Sequence, residues 1–156
     1  MYNIGDYVIY KRDVCCIKDV EEKYYVIYPL TDNSLTIKVP IDTKFRDLIT
    51  KEECEKLINS IPNIDIIKDD KYIENEYKKL LDSGNLEDLI KIIKTTYLRN
   101  KNRLDSHKKI GEKDDKYFKK AQKLLYTEMQ ISLGLTYDEV ENYIKDKVES
   151  LIKWKE

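Results

Sequence analysis

The chain has 156 residues, a net charge of −1 and charged side chains at 38% of positions, and this length suffices for one compact domain or two small ones. No run of about 18 apolar residues is present to span a membrane, and the first residues lack the basic and apolar regions of a secretion signal. We therefore expect a cytoplasmic protein whose three cysteines are reduced. The chain has a single histidine, so the commonest metal ligand and general base is almost absent.

The first 40 residues predict an antiparallel sheet. Four runs rich in Val, Ile, Tyr and Thr are typical of strands, at 7–11, 14–20, 23–30 and 34–40. The breaks between them are too short for crossover helices, so neighbouring strands should be antiparallel. Because so small a sheet must curl or close to protect its core, we expect a small β-barrel at residues 1–48.

Two adjacent cysteines, Cys15 and Cys16, lie within the second predicted strand. Consecutive side chains of a strand point to opposite faces, so the two thiols cannot both face one metal ion. Structural zinc needs about four ligands, and only Cys54 and His107 remain to complete such a site. We therefore predict that at least one of the pair is buried as a small hydrophobic side chain and that neither binds metal.

Residues 49–156 predict an all-α domain of four to five helices. Thr50 and Glu53 have the spacing of a capping box at the start of the first helix, and Thr136 and Glu139 have the same spacing before the last. This arrangement of strands followed by helices predicts an α+β protein with two domains.

Three helices are expected between those two, separated at Gly84 and by a polar loop. They cover residues 72–83, 86–104 and 116–134, with the loop at 105–115. Asn85 is the expected N-cap of the middle helix, and Gly134 is the expected C-cap of the last of the three. Apolar residues recur at helical spacing on two of them: Leu86, Leu89, Ile90, Ile93 and Tyr97, then Phe118, Ala121, Leu125 and Met129.

No catalytic motif is found in the sequence. The four glycines stand apart, so no phosphate-binding loop is formed, and no nucleophile elbow or metal-binding spacing occurs. The carboxylates are scattered among lysines, and any acid–base pair chosen from them would be arbitrary. We expect a protein that is not an enzyme and that uses no cofactor, metal or small-molecule substrate.

Positive charge is concentrated in one segment, because residues 89–123 carry twelve Lys or Arg against four Asp or Glu. A hairpin of two antiparallel helices would gather these side chains at one end, and clustered cations attract phosphates without reading base sequence. The alternative is a solvated, lysine-rich face. The candidate phosphate contacts are Lys94, Arg99, Lys101, Arg103, Lys109, Lys113, Lys116, Lys120 and Lys123.

Five segments, taken in their order and spacing, resemble one known family. They read NIGDYVIY, LTIKVP, LITKEECEKLINSIP, YKKLLDSGNLEDLIKIIKTTYLRNK and AQKLLYTEMQISLGLTYDE. Together they resemble the CarD/CdnL family of bacterial transcription regulators, and YKRDVC is similar to its Firmicutes-type branch. The resemblance implies a Tudor-like N-terminal domain that binds the β subunit of RNA polymerase, and a helical C-terminal domain that contacts promoter DNA.

On the polymerase side, the resemblance implies docking through an exposed strand edge. The family's strand T-V-R-V-P corresponds here to TIKVP, with Lys38 in the basic role. Lysine lacks the two-pronged hydrogen bonding of arginine, and a longer hairpin that carries a second basic contact in the family is shortened here. The implied polymerase-binding residues are Thr36, Ile37, Lys38, Val39 and Pro40.

On the DNA side, the chain departs from the family. Asp70 stands where the family has a tryptophan that acts as a wedge in the minor groove. Tyr72 is the nearest aromatic residue and is the candidate substitute. Trp154 lies in the last predicted helix and does not match the wedge position; we expect it to pack there.

The leading interpretation is a transcription regulator that binds RNA polymerase and holds promoter DNA, mainly through phosphates. An adapter that binds polymerase or another factor without contacting DNA is the alternative, and a general binder of RNA is a third reading. The sequence indicates no membrane partner.

Overall fold

The computed structural model describes the backbone of residues 1–153 and the side chains of residues 1–147. The chain divides into two compact units, Met1–Ile49 and Thr50–Glu156. The first contains the strands and the second contains the helices, so the protein belongs to the α+β class. Within the described residues, no helix combines the length and the apolar character needed to cross a membrane. Trp154 lies outside the described residues.

The sheet unit contains four antiparallel strands in the order of the sequence. Their bounds are β1 Tyr7–Tyr10, β2 Asp13–Val20, β3 Tyr24–Pro29 and β4 Ile37–Pro40. Among the described residues, no strand ladder joins β1 to β4, so the sheet is open. The chain that follows β4 reaches the outer side of β1 through one isolated bridge, between Ile9 and Arg46. The sheet therefore differs from the β-barrel that we expected, because this segment forms a single bridge instead of a strand ladder.

One face of the sheet carries a hydrophobic core. Its buried side chains are Val8, Cys15, Ile17, Tyr25, Ile27 and Val39, and Phe45 packs against them. Cys16 projects from the opposite face because it follows Cys15 in the strand, yet it is also buried. The prediction that at least one of these thiols is buried is therefore confirmed.

The helical unit contains five helices and one short 3-10 turn within the described residues. Their bounds are α1 Lys51–Asn59, the turn Ile61–Asn63, α2 Ile73–Asp82, α3 Leu86–Asp105, α4 Glu112–Leu133 and α5 Tyr137–Lys153. Both predicted capping boxes are present. Thr50 Oγ1 accepts from the Glu53 amide at 3.1 Å and Glu53 Oε1 accepts from the Thr50 amide at 3.2 Å; Thr136 and Glu139 repeat this exchange.

The predicted loop at 105–115 is shorter than expected, because α4 begins at Glu112 rather than at Lys116. Three acidic residues, Glu112, Asp114 and Asp115, occupy the first turn of α4. Carboxylates are stabilising there because the helix N-terminus carries partial positive charge. The polar residues from which we predicted a loop therefore include the first turn of α4.

The buried sides of α3 and α4 also differ from the predicted apolar patterns. On α3, Leu86, Leu89 and Ile90 are buried as predicted. Tyr97 is half exposed, and the buried side continues through Ile92, Thr95 and Thr96. The threonine hydroxyls are satisfied, since Thr96 donates to the Ile92 carbonyl at 2.8 Å and Thr95 accepts from a main-chain amide. On α4, the neighbouring Tyr117 is buried where Phe118 was expected.

Candidate functional sites

The outer edge of β4 carries the residues that the resemblance assigns to polymerase binding. In the part of the chain that the structure describes, β4 pairs with β3 alone, with Val39 opposite Tyr25 and Lys38 opposite Val26. The Ile41 amide donates to the Lys23 carbonyl at 2.9 Å. Hydrogen-bonded positions alternate along an antiparallel pair, so Val39 also bonds to β3, whereas the N–H and C=O of Lys38 point away from the sheet.

The five residues of this edge contribute in different ways. Val39 is only 2% exposed and belongs to the sheet core, and Ile37 is half-buried against that core. Their side chains are therefore structural. Thr36, Lys38 and Pro40 are exposed, so only these three present side chains to a partner.

The side chain of Lys38 forms a surface ion pair. Its Nζ lies 3.3 Å from Glu21 Oε1, and the two side chains are 59% and 40% exposed. Pairs this exposed contribute little to stability, about 0–1 kcal/mol. The ammonium group can therefore exchange Glu21 for an acidic group of a partner at small cost.

In the helical unit, two of the predicted phosphate contacts surround a buried carboxylate. Arg99 Nε donates to Asp114 Oδ2 at 2.9 Å and Arg103 Nη1 donates to the same oxygen at 2.6 Å. Tyr77 donates its hydroxyl to Asp114 Oδ1 at 2.8 Å. This cluster of Tyr77, Arg99, Arg103 and Asp114, the Asp114 cluster, ties α2, α3 and α4 together.

The charges within the Asp114 cluster stabilise one another. Burial alone would raise the pKa of Asp114, but hydrogen bonds from Arg99, Tyr77 and Arg103 outweigh it and hold that pKa below its usual range. Burial, with the hydrogen bond to the same carboxylate, raises the pKa of the Tyr77 hydroxyl. The Arg103 guanidinium also lies against Gly111, where it would clash with a Cβ. Both guanidinium groups therefore have a structural role.

Lys94 and Lys113 also have partners within the unit. Lys94 Nζ donates to the carbonyl of Ile61 at 2.9 Å and to that of Ile64 at 2.8 Å, so it holds the segment after α1. Lys113 Nζ lies 2.9 Å from Glu74 Oε2, and this contact lowers the pKa of Glu74. Both side chains therefore already have partners within the helical unit.

The remaining predicted lysines are exposed: Lys101 on α3, Lys109 in the loop, and Lys116, Lys120 and Lys123 on α4. The last three follow a spacing of four and three residues, which places them on one face of the helix. Lys116 and Lys120 each approach the Tyr117 ring, at 5.7 and 5.6 Å from its centroid. This row, Lys116–Lys120–Lys123, is a compact cationic surface and is called the α4 lysine row below.

Tyr72 is 63% exposed and has charged neighbours of both signs. It lines a groove together with Asp65, Asp69 and Glu76 and with Lys68 and Lys91. The ammonium group of Lys71 lies 5.5 Å from the centroid of the Tyr72 ring. The assignment of Tyr72 as a DNA contact stays a prediction.

Sequence reasoning did not identify Asp114 or Tyr77. Asp114 is separated from Arg99 by 15 residues and from Tyr77 by 37, so no local spacing indicates the cluster. The predicted hairpin of α3 and α4 could have indicated the ion pairs, because it brings the arginines at the end of α3 beside the acidic residues at the start of α4. Within the described residues, no group of three or more His, Cys, Asp or Glu is arranged to hold a metal ion.

No protein-family model matches the chain, and no curated protein matches it significantly.

Proposed function

We propose that the chain is a CarD/CdnL-type transcription regulator. In this proposal the sheet unit is a Tudor-like domain that binds the β subunit of RNA polymerase through the outer edge of β4. The helical unit contacts promoter DNA through the phosphates, and neither unit catalyses a reaction. The observation that carries the proposal is the open edge of β4, where Lys38 presents both its main chain and its ammonium group.

Strand addition explains how such an edge would recruit a partner. A partner strand gains main-chain hydrogen bonds along the edge, and side chains then supply specificity. Lys38 offers an outward N–H for this ladder, whereas Pro40 has none to offer. A charge-assisted hydrogen bond from the ammonium group to a partner carboxylate would add to the affinity.

A capture experiment with the polymerase β subunit tests the docking edge. Lys38→Glu reverses the charge and should abolish capture, while Lys44→Glu, an exposed lysine outside the sheet, should leave it intact. Comparing Lys38→Ala with Lys38→Pro separates charge from main-chain pairing, since both lose the ammonium group but only proline lacks the N–H. If Lys38→Glu and Lys38→Pro both bind as well as the wild type, the assigned edge is wrong.

The α4 lysine row supports the DNA contact. Phosphate binding releases counterions, so affinity should fall steeply as salt rises, with a slope of about −0.9 per phosphate contact. Fluorescence anisotropy with a labelled duplex at about 50 and 200 mM salt measures this slope. Replacing Lys116, Lys120 and Lys123 by alanine should flatten it, whereas the same change at Lys51, Lys56 and Lys79, which are exposed elsewhere in the helical unit, should not.

The adapter without DNA binding is the second candidate. It is favoured by the internal partners of Lys94, Arg99, Arg103 and Lys113, which leave fewer cations for phosphates than the sequence indicated. The same titration decides between the two candidates, because an adapter would show no duplex binding even at low salt while still capturing the polymerase fragment. A reconstituted promoter-opening assay then shows whether initiation is activated or inhibited.

A further inference from the structure

Two lysines of the α4 lysine row share one aromatic ring. The ammonium groups of Lys116 and Lys120 lie over the ring of Tyr117, at 5.7 and 5.6 Å from its centroid. Lys123, the third member of the row, has no such contact with a ring in the part of the chain that the structure describes. The row therefore contains a pair of lysines with a common support and one lysine without it.

The Tyr117 ring is itself held in place. It is only 2% exposed, and it packs against the ring of Tyr77 with the centroids 5.2 Å apart. Tyr77 is fixed in turn by its hydrogen bond to Asp114. The two ammonium groups therefore lie over a buried ring whose position is set by the core of the helical unit.

The ring biases the positions of the two lysines before any ligand binds. Residues four apart in a helix lie on the same side of it, so Lys116 and Lys120 approach Tyr117 from neighbouring turns. A cation over an aromatic face at an exposed site is favoured about two- to fivefold over one that is free in solvent. Side chains that are ordered in advance lose less entropy on binding. The pair is therefore better prepared to contact phosphates than a lysine without such support.

The acidic residues near the pair leave it positively charged. Asp115 and, on α2, Glu74 are each paired with a lysine outside the row, at 3.0 and 2.9 Å. Asp114 is occupied by the two arginines of α3. Glu112 is the remaining acidic residue of α4 before Lys123, and it can balance at most one of the three charges of the row. The surface therefore attracts anions after these carboxylates are counted.

We infer that Tyr117 positions the ammonium groups of Lys116 and Lys120 as a paired contact for the backbone phosphates of nucleic acid. The inference rests on the DNA contact proposed above and adds to it a buried residue that does not itself reach a phosphate. Tyr117 is thus a positioning residue, and it acts through these two lysines alone. Lys123 contributes its charge without this support.

A double-mutant cycle on the binding of a labelled DNA duplex tests the inference. Lys120→Ala should weaken binding about fivefold in the wild type but only about twofold in the Tyr117→Leu background, where the lysine acts by its charge alone. Lys123→Ala is the matched control and should have the same effect in both backgrounds. Tyr117→Phe keeps the ring and should bind as the wild type does. Circular dichroism selects a temperature at which all the variants are folded.

A second measurement needs no ligand and no substitution of Tyr117. In ¹H–¹³C spectra of the full chain, the ε-methylene protons of Lys116 and Lys120 should resonate upfield of those of Lys123, because they lie over the ring. This measurement also decides the question if Tyr117→Leu does not fold.

The outcomes separate the inference from the proposed function. If the wild type binds the duplex and Lys120→Ala has an equal effect in both backgrounds, the inference is wrong while the DNA contact stands. Equal ε-methylene shifts for all three lysines overturn it in the same way, as does Tyr117→Phe binding as weakly as Tyr117→Leu. If the wild type binds no duplex at low salt, the proposed DNA contact is wrong and the inference fails with it.

Discussion

Tyr77 of α2 donates a 2.8 Å hydrogen bond to Asp114 of α4, and both side chains are buried. The Tyr77 ring also packs against Tyr117, with ring centroids 5.2 Å apart. Arg99 and Arg103 of α3 approach the same carboxylate. One acidic side chain therefore connects three helices, and several consequences can be measured.

Asp114→Asn should destabilise the helical unit. The change leaves two guanidinium groups without their counter-charge, and removing one member of a buried ion pair costs about 3–5 kcal/mol. Because Arg99 and Arg103 are 30% and 28% exposed, solvent replaces part of the interaction and we expect about 2 kcal/mol. Urea unfolding followed by circular dichroism measures the loss.

Asp115→Asn is the matched control for that change. Asp115 is the next residue and forms an i,i+4 pair with Lys119 at 3.0 Å, so losing this pair and one carboxylate of the first turn should cost about 1 kcal/mol or less. If the two variants unfold at the same urea concentration, the Asp114 cluster does not hold the helices together as described.

The contribution of Asp114 should depend on pH. Since its pKa is held below the usual value in the folded protein, the unfolded chain takes up the proton first as the pH falls. The stabilisation is complete above the unfolded pKa of about 3.9 and is lost as the pH drops through the lower, folded value. The difference in unfolding free energy between wild type and Asp114→Asn should therefore narrow below about pH 4. A difference that stays constant from neutral pH to pH 3 would contradict this assignment.

Lys94→Met should loosen the segment after α1. Methionine keeps most of the side-chain volume but leaves the carbonyls of Ile61 and Ile64 without their 2.9 and 2.8 Å hydrogen bonds, a loss of about 1–3 kcal/mol. Hydrogen exchange should accelerate at the Ile64 and Ile67 amides. Lys101→Met, at an exposed position of the same helix, is the control and should leave that exchange unchanged.

The same variant distinguishes a structural lysine from a phosphate contact. Because its ammonium group is directed to main-chain carbonyls, Lys94→Met should retain the affinity of the wild type for duplex DNA at a temperature where it remains folded. If Lys94→Met instead lowers the DNA affinity and its salt dependence as much as a substitution in the α4 lysine row does, Lys94 is a phosphate contact.

The part of the fold that was predictable depends on local signals. The β-branched and aromatic runs predicted all four strands, and the Thr50–Glu53 spacing predicted the start of α1, because both signals act over a few residues. The Asp114 cluster was not predictable in this way, since its members meet only when three helices pack. Counting charges along the sequence therefore overestimated the number of cations available to phosphates. Arg99 and Arg103 were counted among them, but both are paired with the buried carboxylate of Asp114.

The three cysteines should be unreactive in the folded protein. All are buried, and burial raises the pKa of both Cys15 and Cys54 to about 11. Thiolates are the reactive form, so at pH 7–8 a disulfide reagent such as Ellman's reagent should label the native chain slowly and label all three thiols quickly in urea. Asn75→Cys, at an exposed position of α2, should add one thiol that reacts at once, which shows that the reagent is active. Rapid labelling of any thiol in the native wild type would mean that the sheet core or the surroundings of α1 open far more readily than their packing indicates.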